Sequence, residues 1–246
     1  MARLDGKIAM ITGASRGIGR AVALAFAAEG ADVAIVGATD QEALAGVEQE
    51  ITALGRRVIA ALADVSQRAE IDRVVTRITE EWGRLDILVN NAGIIRMTPL
   101  EDISEEQWDR TIAVHLKGTF NCTQAVLAVM KDQGGGKIIN VAAPSAMRGS
   151  SGVADYASAK GGIIAFTKNA ANEFSPYNIQ VNCISPVAQT RMTDALVAYR
   201  QQQSNEPPGS LTRGGVVAPE ATTPAFVFFA SSDSDLITGQ ILALHK

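Results

Sequence analysis

The sequence predicts an α/β fold of three layers, a doubly wound, seven-stranded parallel sheet with helices on both faces. Three observations predict it. Seven short, β-branched or apolar runs alternate with longer segments of helical period. A glycine-rich turn follows the first run and opens the first helix. No internal repeat, low-complexity tract or linker breaks the 246 residues, so one domain over 1–246 is expected.

The strand-like runs are residues 7–12, 32–37, 57–62, 86–90, 137–142, 179–184 and 240–244. Helix starts carry their own chemistry: Thr39-Asp40-Gln41-Glu42 and Ser104-Glu105-Glu106-Gln107 both fit a capping box. Asp40 is read as a helix-start acid rather than a ligand. Gly134-Gly135-Gly136 reads as the turn from a helix into the fifth strand, where a left-handed backbone is needed. Residues 185–218 form the one long irregular stretch, with Gln201-Gln202-Gln203 and Pro207-Pro208-Gly209 inside it. A loop of that length in a compact domain is a lid or a partly disordered segment, and a substrate lid over about 186–217 is expected.

Composition narrows the function classes. Hydrophobic residues make up 47%, enough for one large core, and 22 basic against 26 acidic side chains leave a net charge of −4. That balance, without an aromatic-basic patch, argues against nucleic-acid binding or a membrane-surface role. No apolar signal core precedes the first strand and no stretch reads as a membrane span, so a cytoplasmic protein is expected. Cys122 and Cys183 lie far apart in apolar segments, without metal-ligand spacing, and read as core residues; no metal site is expected.

The turn after the first strand, Thr12-Gly13-Ala14-Ser15-Arg16-Gly17-Ile18-Gly19, suits a dinucleotide. Glycines there let the backbone approach a pyrophosphate, whose charge the helix N-terminus favours. The second strand ends Val36-Gly37-Ala38-Thr39, without the acid that would bind the ribose hydroxyls of NAD. Arg16 reads either as a reach for a 2′-phosphate, with Ser15 and Thr39 adding hydroxyls, or as a solvated surface cation. NADP is therefore expected ahead of NAD. Further on, Tyr156 and Lys160 stand one helical turn apart, a spacing that sets a phenol beside an ammonium and points to a proton donor usable near neutral pH.

With Gly13, Gly17 and Gly19, then Asn90-Asn91-Ala92-Gly93, then Tyr156 and Lys160 in that order, the chain resembles the short-chain dehydrogenase/reductase family, close to its 3-oxoacyl carrier-protein reductase type. The resemblance spans nearly the whole chain. It implies a Rossmann-type domain, a nicotinamide cofactor and a homotetramer. It gives Tyr156 the acid/base role, and Lys160 the tasks of holding the nicotinamide ribose and lowering the tyrosine pKa. It sets Asp64 and Val65 against the adenine, Asn90 to Gly93, with Asn91 and Ala92, beneath the cofactor, and Pro186 and Thr190 over the nicotinamide.

Three departures from that pattern stand out. The family's catalytic serine, thirteen residues before the tyrosine, is Ala143 here, and Ser145 either turns into the site or is pointed away by Pro144. One lost oxyanion donor costs on the order of a hundredfold in rate. The family's asparagine is His115, which either acts in the site, titrating near physiological pH, or is structural. That histidine, with the segment from Pro186 to Thr193, resembles the hydroxyacyl-CoA dehydrogenase units of multifunctional β-oxidation enzymes, although Val187 replaces a usual glycine. The chain ends without the family's Asp-Gly-Gly, a change that bears on subunit contacts.

The expected activity is interconversion of a ketone and a secondary alcohol by hydride transfer, on an apolar carbonyl substrate or an acyl thioester. Met192, Leu196, Val197 and Tyr199 suit an apolar body, and Arg191, Arg200 and Arg213 an anionic one. The competing reading, kept open by Ala143, is an NADP-binding protein with impaired redox activity that serves as a regulatory or assembly partner or in a non-redox step.

Overall fold

The computed structural model describes residues 2–203 and 216–244. Apolar alternation along the strands builds the layers. In β1 (Ile8–Thr12), Ile8 and Met10 face one core cluster while Ala9 and Ile11 face the other. One cluster packs Val22 and Phe26 of α1 (Gly17–Ala28), Leu44 and Ile51 of α2 (Gln41–Ala53) and Phe226 of α9 (Thr223–Ala230) on its face of the sheet. The opposite cluster packs Ile71 and Ile78 of α3 (Arg68–Trp82), Val126 and Met130 of α5 (Gly118–Asp132), and Phe174 of α7 (Ala154–Phe174).

The remaining strands are β2 (Asp32–Gly37), β3 (Val58–Leu62), β4 (Ile87–Asn90), β5 (Gly136–Val141), β6 (Ile179–Ser185) and β7 (Ile241–Ala243). All seven pair in parallel, in the order β3-β2-β1-β4-β5-β6-β7. Winding reverses between β1 and β4, and in an open α/β sheet the crevice at the carboxyl ends beside that switch point takes the ligand.

The observed strand ends lie within a residue or two of those expected. Ser104 caps α4 (Glu105–Ile112), accepting from the Gln107 N–H at 3.2 Å. At α2 the cap is Asp40, not Thr39: its Oδ1 accepts from the Ala43 N–H at 3.0 Å. The stretch from 185 to 218 is not irregular throughout. Arg191–Gln203 forms α8, started by Thr190, whose Oγ1 accepts from the Thr193 N–H at 3.3 Å. Met192, Leu196 and Tyr199 recur there at helical period, and Gln and Arg are good helix formers, so the glutamine run continues the helix rather than forming loop. Ala188 bridges Val217 across the base of this segment. Pro207, Pro208, Gly209 and Arg213 lie outside the described residues. No described helix is long and apolar enough to cross a membrane.

Between α4 and α5 the helix runs on through one π turn, Ala113–Lys117, which carries His115. Single π turns inside α-helices recur at functional sites, because they turn one side chain out of the regular register.

Candidate active site

Polar stitching ties the first turn to the fourth strand. The buried Thr12 hydroxyl accepts from the N–H groups of Asn91 and Ala92, each at 3.1 Å, and the Asn91 Nδ2 donates to the carbonyls of Thr12 (2.9 Å) and Gly13 (3.2 Å). Room for this comes from missing side chains. A Cβ on Gly19 would stand 2.2 Å from the Gly13 carbonyl oxygen, and one on Gly13 would stand 2.8 Å from Ala92 Cα. Gly13 and Gly17 also take positive φ, +65° and +55°.

A cleft of about 1290 Å³ follows the carboxyl edge of the sheet away from this turn. Gly13, Ser15, Arg16, Gly17, Ile18 and Gly19 line one end, with Thr39 and Asp40. Asp64, Val65, Asn91, Ala92 and Gly93 continue along it to Ala143, Ser145, Tyr156 and Lys160, under Pro186, Val187 and Thr190. The structure thus brings the expected cofactor-binding and catalytic residues into one cleft, with Met192, Leu196, Arg191 and Arg200 of the expected substrate end, while Val197 and Tyr199 do not line it, and Asn90 of the Asn90 to Gly93 segment stands apart. Its Nδ2 donates to Thr123 Oγ1 (3.1 Å) and Asn140 Oδ1 (2.9 Å) below the cleft, making it an internal strut. The volume exceeds that of a drug-sized pocket and suits a dinucleotide with a substrate beside it.

Two charged residues meet at the glycine-turn end of the cleft. Arg16 stays partly open to solvent, as a solvated surface cation would, and its guanidinium also pairs with the Asp40 carboxylate. Asp40 is more than a helix-start acid, because it caps α2, holds Arg16 and lines the cleft. Beside them Arg110, which sequence reasoning passed over, binds Asp64 Oδ2 at 2.8 Å and Ser66 Oγ at 2.9 Å. Burial pushes the Asp64 carboxyl up, but the bonds from Ser66 and Arg110 outweigh it and hold the group below its ordinary value.

At the far end, Lys160 is 3% exposed and its Nζ donates to the Val141 carbonyl at 2.6 Å, 5.7 Å from the Tyr156 ring centroid. Burial lowers the lysine to about 8 and raises the Tyr156 phenol to about 12. The expected acidification of Tyr156 by Lys160 is therefore absent among the chain's own groups. Desolvation of the phenol dominates, and the ammonium spends its contact on a carbonyl.

His115 is also buried. Its Nε2 lies 2.7 Å from the Ile94 carbonyl, to which a neutral ring donates, and 3.1 Å from the Ile94 nitrogen. The ring meets Tyr156 edge to face at 5.0 Å, and a Cβ on Gly93 would come within 2.3 Å of it. Burial, and then the charge of Lys160, depress it to about 3 against the opposing Ile94 bond. The expected titration near physiological pH is overturned: His115 stays neutral there and braces the 93–94 backbone against Tyr156.

Asp155 was missed as well. Its carboxylate, 1% exposed, accepts from the Tyr156 N–H (2.7 Å), Gln107 Nε2 (3.0 Å) and Thr111 Oγ1 (2.9 Å), pinning the start of α7 to α4. An acid directly before the tyrosine was the signal available in the sequence. Ser145 Oγ is buried and finds no hydrogen-bond partner among the described residues. Over the cleft, α8 seats Arg200 on Ser150 Oγ at 2.8 Å and Tyr199 against Gly152, where a Cβ would clash at 2.4 Å.

Fold and cleft together define a doubly wound α/β protein whose cleft holds a glycine turn at one end and a tyrosine with a lysine at the other. Residues 7–203 match the family profile described as short chain dehydrogenase. The chain belongs to the short-chain dehydrogenase family of oxidoreductases. It is 39% identical over 243 residues to the 3-oxoacyl-[acyl-carrier-protein] reductase FabG of Thermotoga maritima, covering 98% of this chain and 97% of that protein. It is also 39% identical to the (2S)-[(R)-hydroxy(phenyl)methyl]succinyl-CoA dehydrogenase subunit BbsD of Thauera aromatica, over 97% and 95% of the two chains. Among solved structures, carveol dehydrogenase from Mycobacterium avium in complex with NAD superposes with a TM-score of 0.92 at 27% identity, over 99% and 98% of the chains.

Proposed function

We propose that this chain interconverts a ketone and a secondary alcohol with a nicotinamide dinucleotide, favouring NADP(H) over NAD(H), as a homotetramer. One observation carries the reading: a single cleft holds the glycine turn at one end and Tyr156 beside a buried Lys160 at the other. The dinucleotide, when bound, supplies or takes the hydride. The chain's residues do the rest. The turn and the α1 N-terminus hold the pyrophosphate, and Lys160, one helical turn below Tyr156, holds the ribose. In the reductive direction Tyr156 gives its proton to the substrate oxygen as negative charge develops there, and in the oxidative direction it takes that proton back. NADP(H) is favoured because β2 ends without an acid, beside Ser15, Thr39 and Arg16.

Ser145 replaces the hydroxyl missing at Ala143. Its Oγ is a buried polar atom without a partner, in the same cleft and two residues on, and such an atom carries a desolvation cost that a substrate oxygen relieves. The substrate end presents Ile94, Met192 and Leu196, which suit an apolar body. The names of both relatives, a 3-oxoacyl-[acyl-carrier-protein] reductase and a [hydroxy(phenyl)methyl]succinyl-CoA dehydrogenase subunit, support an acyl thioester.

NADPH oxidation with a panel of 3-oxoacyl thioesters and simple ketones tests this. Wild type is expected to turn over, Ser145→Ala to lose on the order of a hundredfold in kcat/KM, and Ala143→Ser in that background to recover much of it. Ala143 favours one other reading, a dinucleotide-binding protein with impaired redox chemistry. If wild type and Ala143→Ser both bind NADPH and neither oxidises it with any carbonyl, that second reading replaces the first.

A further inference from the structure

We propose that Asp40 sets the selectivity of the cleft between NADP and NAD by occupying Arg16, an inference that rests on the cleft being a dinucleotide site. Asp40 is the first acid after β2, three residues beyond the Gly37 strand end, and its two carboxylate oxygens have separate tasks. Oδ1 accepts from the Ala43 N–H at 3.0 Å and so anchors the carboxylate to the start of α2. Oδ2 pairs with the Arg16 guanidinium, which reaches across from the glycine turn.

Both residues line the nucleotide end of the cleft, and both side chains are partly open to solvent, at 41% for Arg16 and 37% for Asp40. The neighbouring charges are engaged with one another: Arg110 with Asp64, and Arg20 with Glu50 behind the turn. The Arg16–Asp40 pair is thus close to neutral as a unit, and its cation is already satisfied.

Two ligands that differ by one phosphate meet this pair differently. A ribose 2′-hydroxyl is uncharged and leaves the pair intact. A 2′-phosphate brings between one and two negative charges and competes with Oδ2 for the same guanidinium donors. Asp40 cannot simply retreat, because its other oxygen holds the helix cap, so it also repels the phosphate. Losing part of the Arg16 interaction and gaining a like charge a few ångströms away act in the same direction. In a half-exposed, salt-screened setting the combined effect is on the order of tenfold in affinity. Arg16 and the missing acid at the end of β2 favour NADP, and Asp40 holds that preference down.

Asp40→Asn isolates the charge, since asparagine is as good a helix cap as aspartate and nearly the same shape. Calorimetric titration of NADP and of NAD into the full chain gives the affinity ratio directly, without turnover. The ratio of the NAD Kd to the NADP Kd is expected to rise about tenfold in Asp40→Asn. Adding Arg16→Gln is expected to collapse it below the wild-type ratio. Asp40→Ser, which also caps, serves as a second variant with the same expected direction. A ratio within twofold of wild type in both Asp40 variants, with dinucleotide still bound, overturns the inference and leaves the reading of the site standing. Failure of wild type to bind either dinucleotide overturns both.

Discussion

His115→Asn should change how this protein responds to acid. In the folded chain burial, with help from the Lys160 charge, holds His115 neutral down to about pH 3, whereas in the unfolded chain it protonates near 6.5. Between those values the unfolded state carries the extra proton, so lowering the pH favours unfolding. Stability from this group is fully present above pH 6.5 and is lost as pH falls towards 3. Each pH unit in that window is worth about 1.4 kcal/mol, so moving from pH 6.5 to 5 removes about 2 kcal/mol through His115 alone. Urea unfolding at several pH values between 7.5 and 5 reads this directly. The variant is expected to start less stable, having lost the edge-to-face contact with Tyr156 at 5.0 Å and the bond to Ile94, yet to show a slope shallower by that amount. Parallel profiles for the two proteins between pH 6.5 and 5 would refute the burial argument.

Two further predictions concern the scaffold of the site. Asp155→Ala strips the acceptor from three buried donors, which at about 1 to 3 kcal/mol each, with some relief from water, should cost about 4 kcal/mol and lower Tm by about 10 °C. A thermal scan showing a shift under about 2 °C would mean the carboxylate does not pin α7. Gly19→Ala places a methyl 2.2 Å from the Gly13 carbonyl oxygen and 2.5 Å from Asn91 Nδ2, so the phosphate turn must open. Dinucleotide affinity is expected to fall by at least tenfold in equilibrium titration; an unchanged Kd would show that this turn does not carry the pyrophosphate.

Much of the architecture was legible because its signals are local. Continuous apolar runs mark parallel strands buried on both faces, and the seven runs of this chain fall within a residue or two of the observed strands, the half-buried edge strands β3 and β7 included. The glycine turn is equally readable, since Gly13 and Gly17 need positive φ and Gly19 cannot carry a Cβ. Local signals conflict at α8, where a polar, glutamine-rich composition masks the helical period of Met192, Leu196 and Tyr199. The resemblance assembled the candidate site in outline, but it attached roles to positions rather than to environments.

Residue types and their order therefore determined the parallel sheet, the cleft at its carboxyl edge and the tyrosine and lysine that face it. Only the tertiary structure decided the state of those groups. A pKa depends on what surrounds a side chain from every direction, and burial by distant segments raises Tyr156, lowers Lys160 and silences His115. Partnerships are likewise non-local: Arg16 meets Asp40 across 24 positions, and Asp155 gathers Gln107 and Thr111 from another helix. Sequence periodicity reports which face of an element is buried, whereas charge pairing and desolvation arise only once separate elements are packed together.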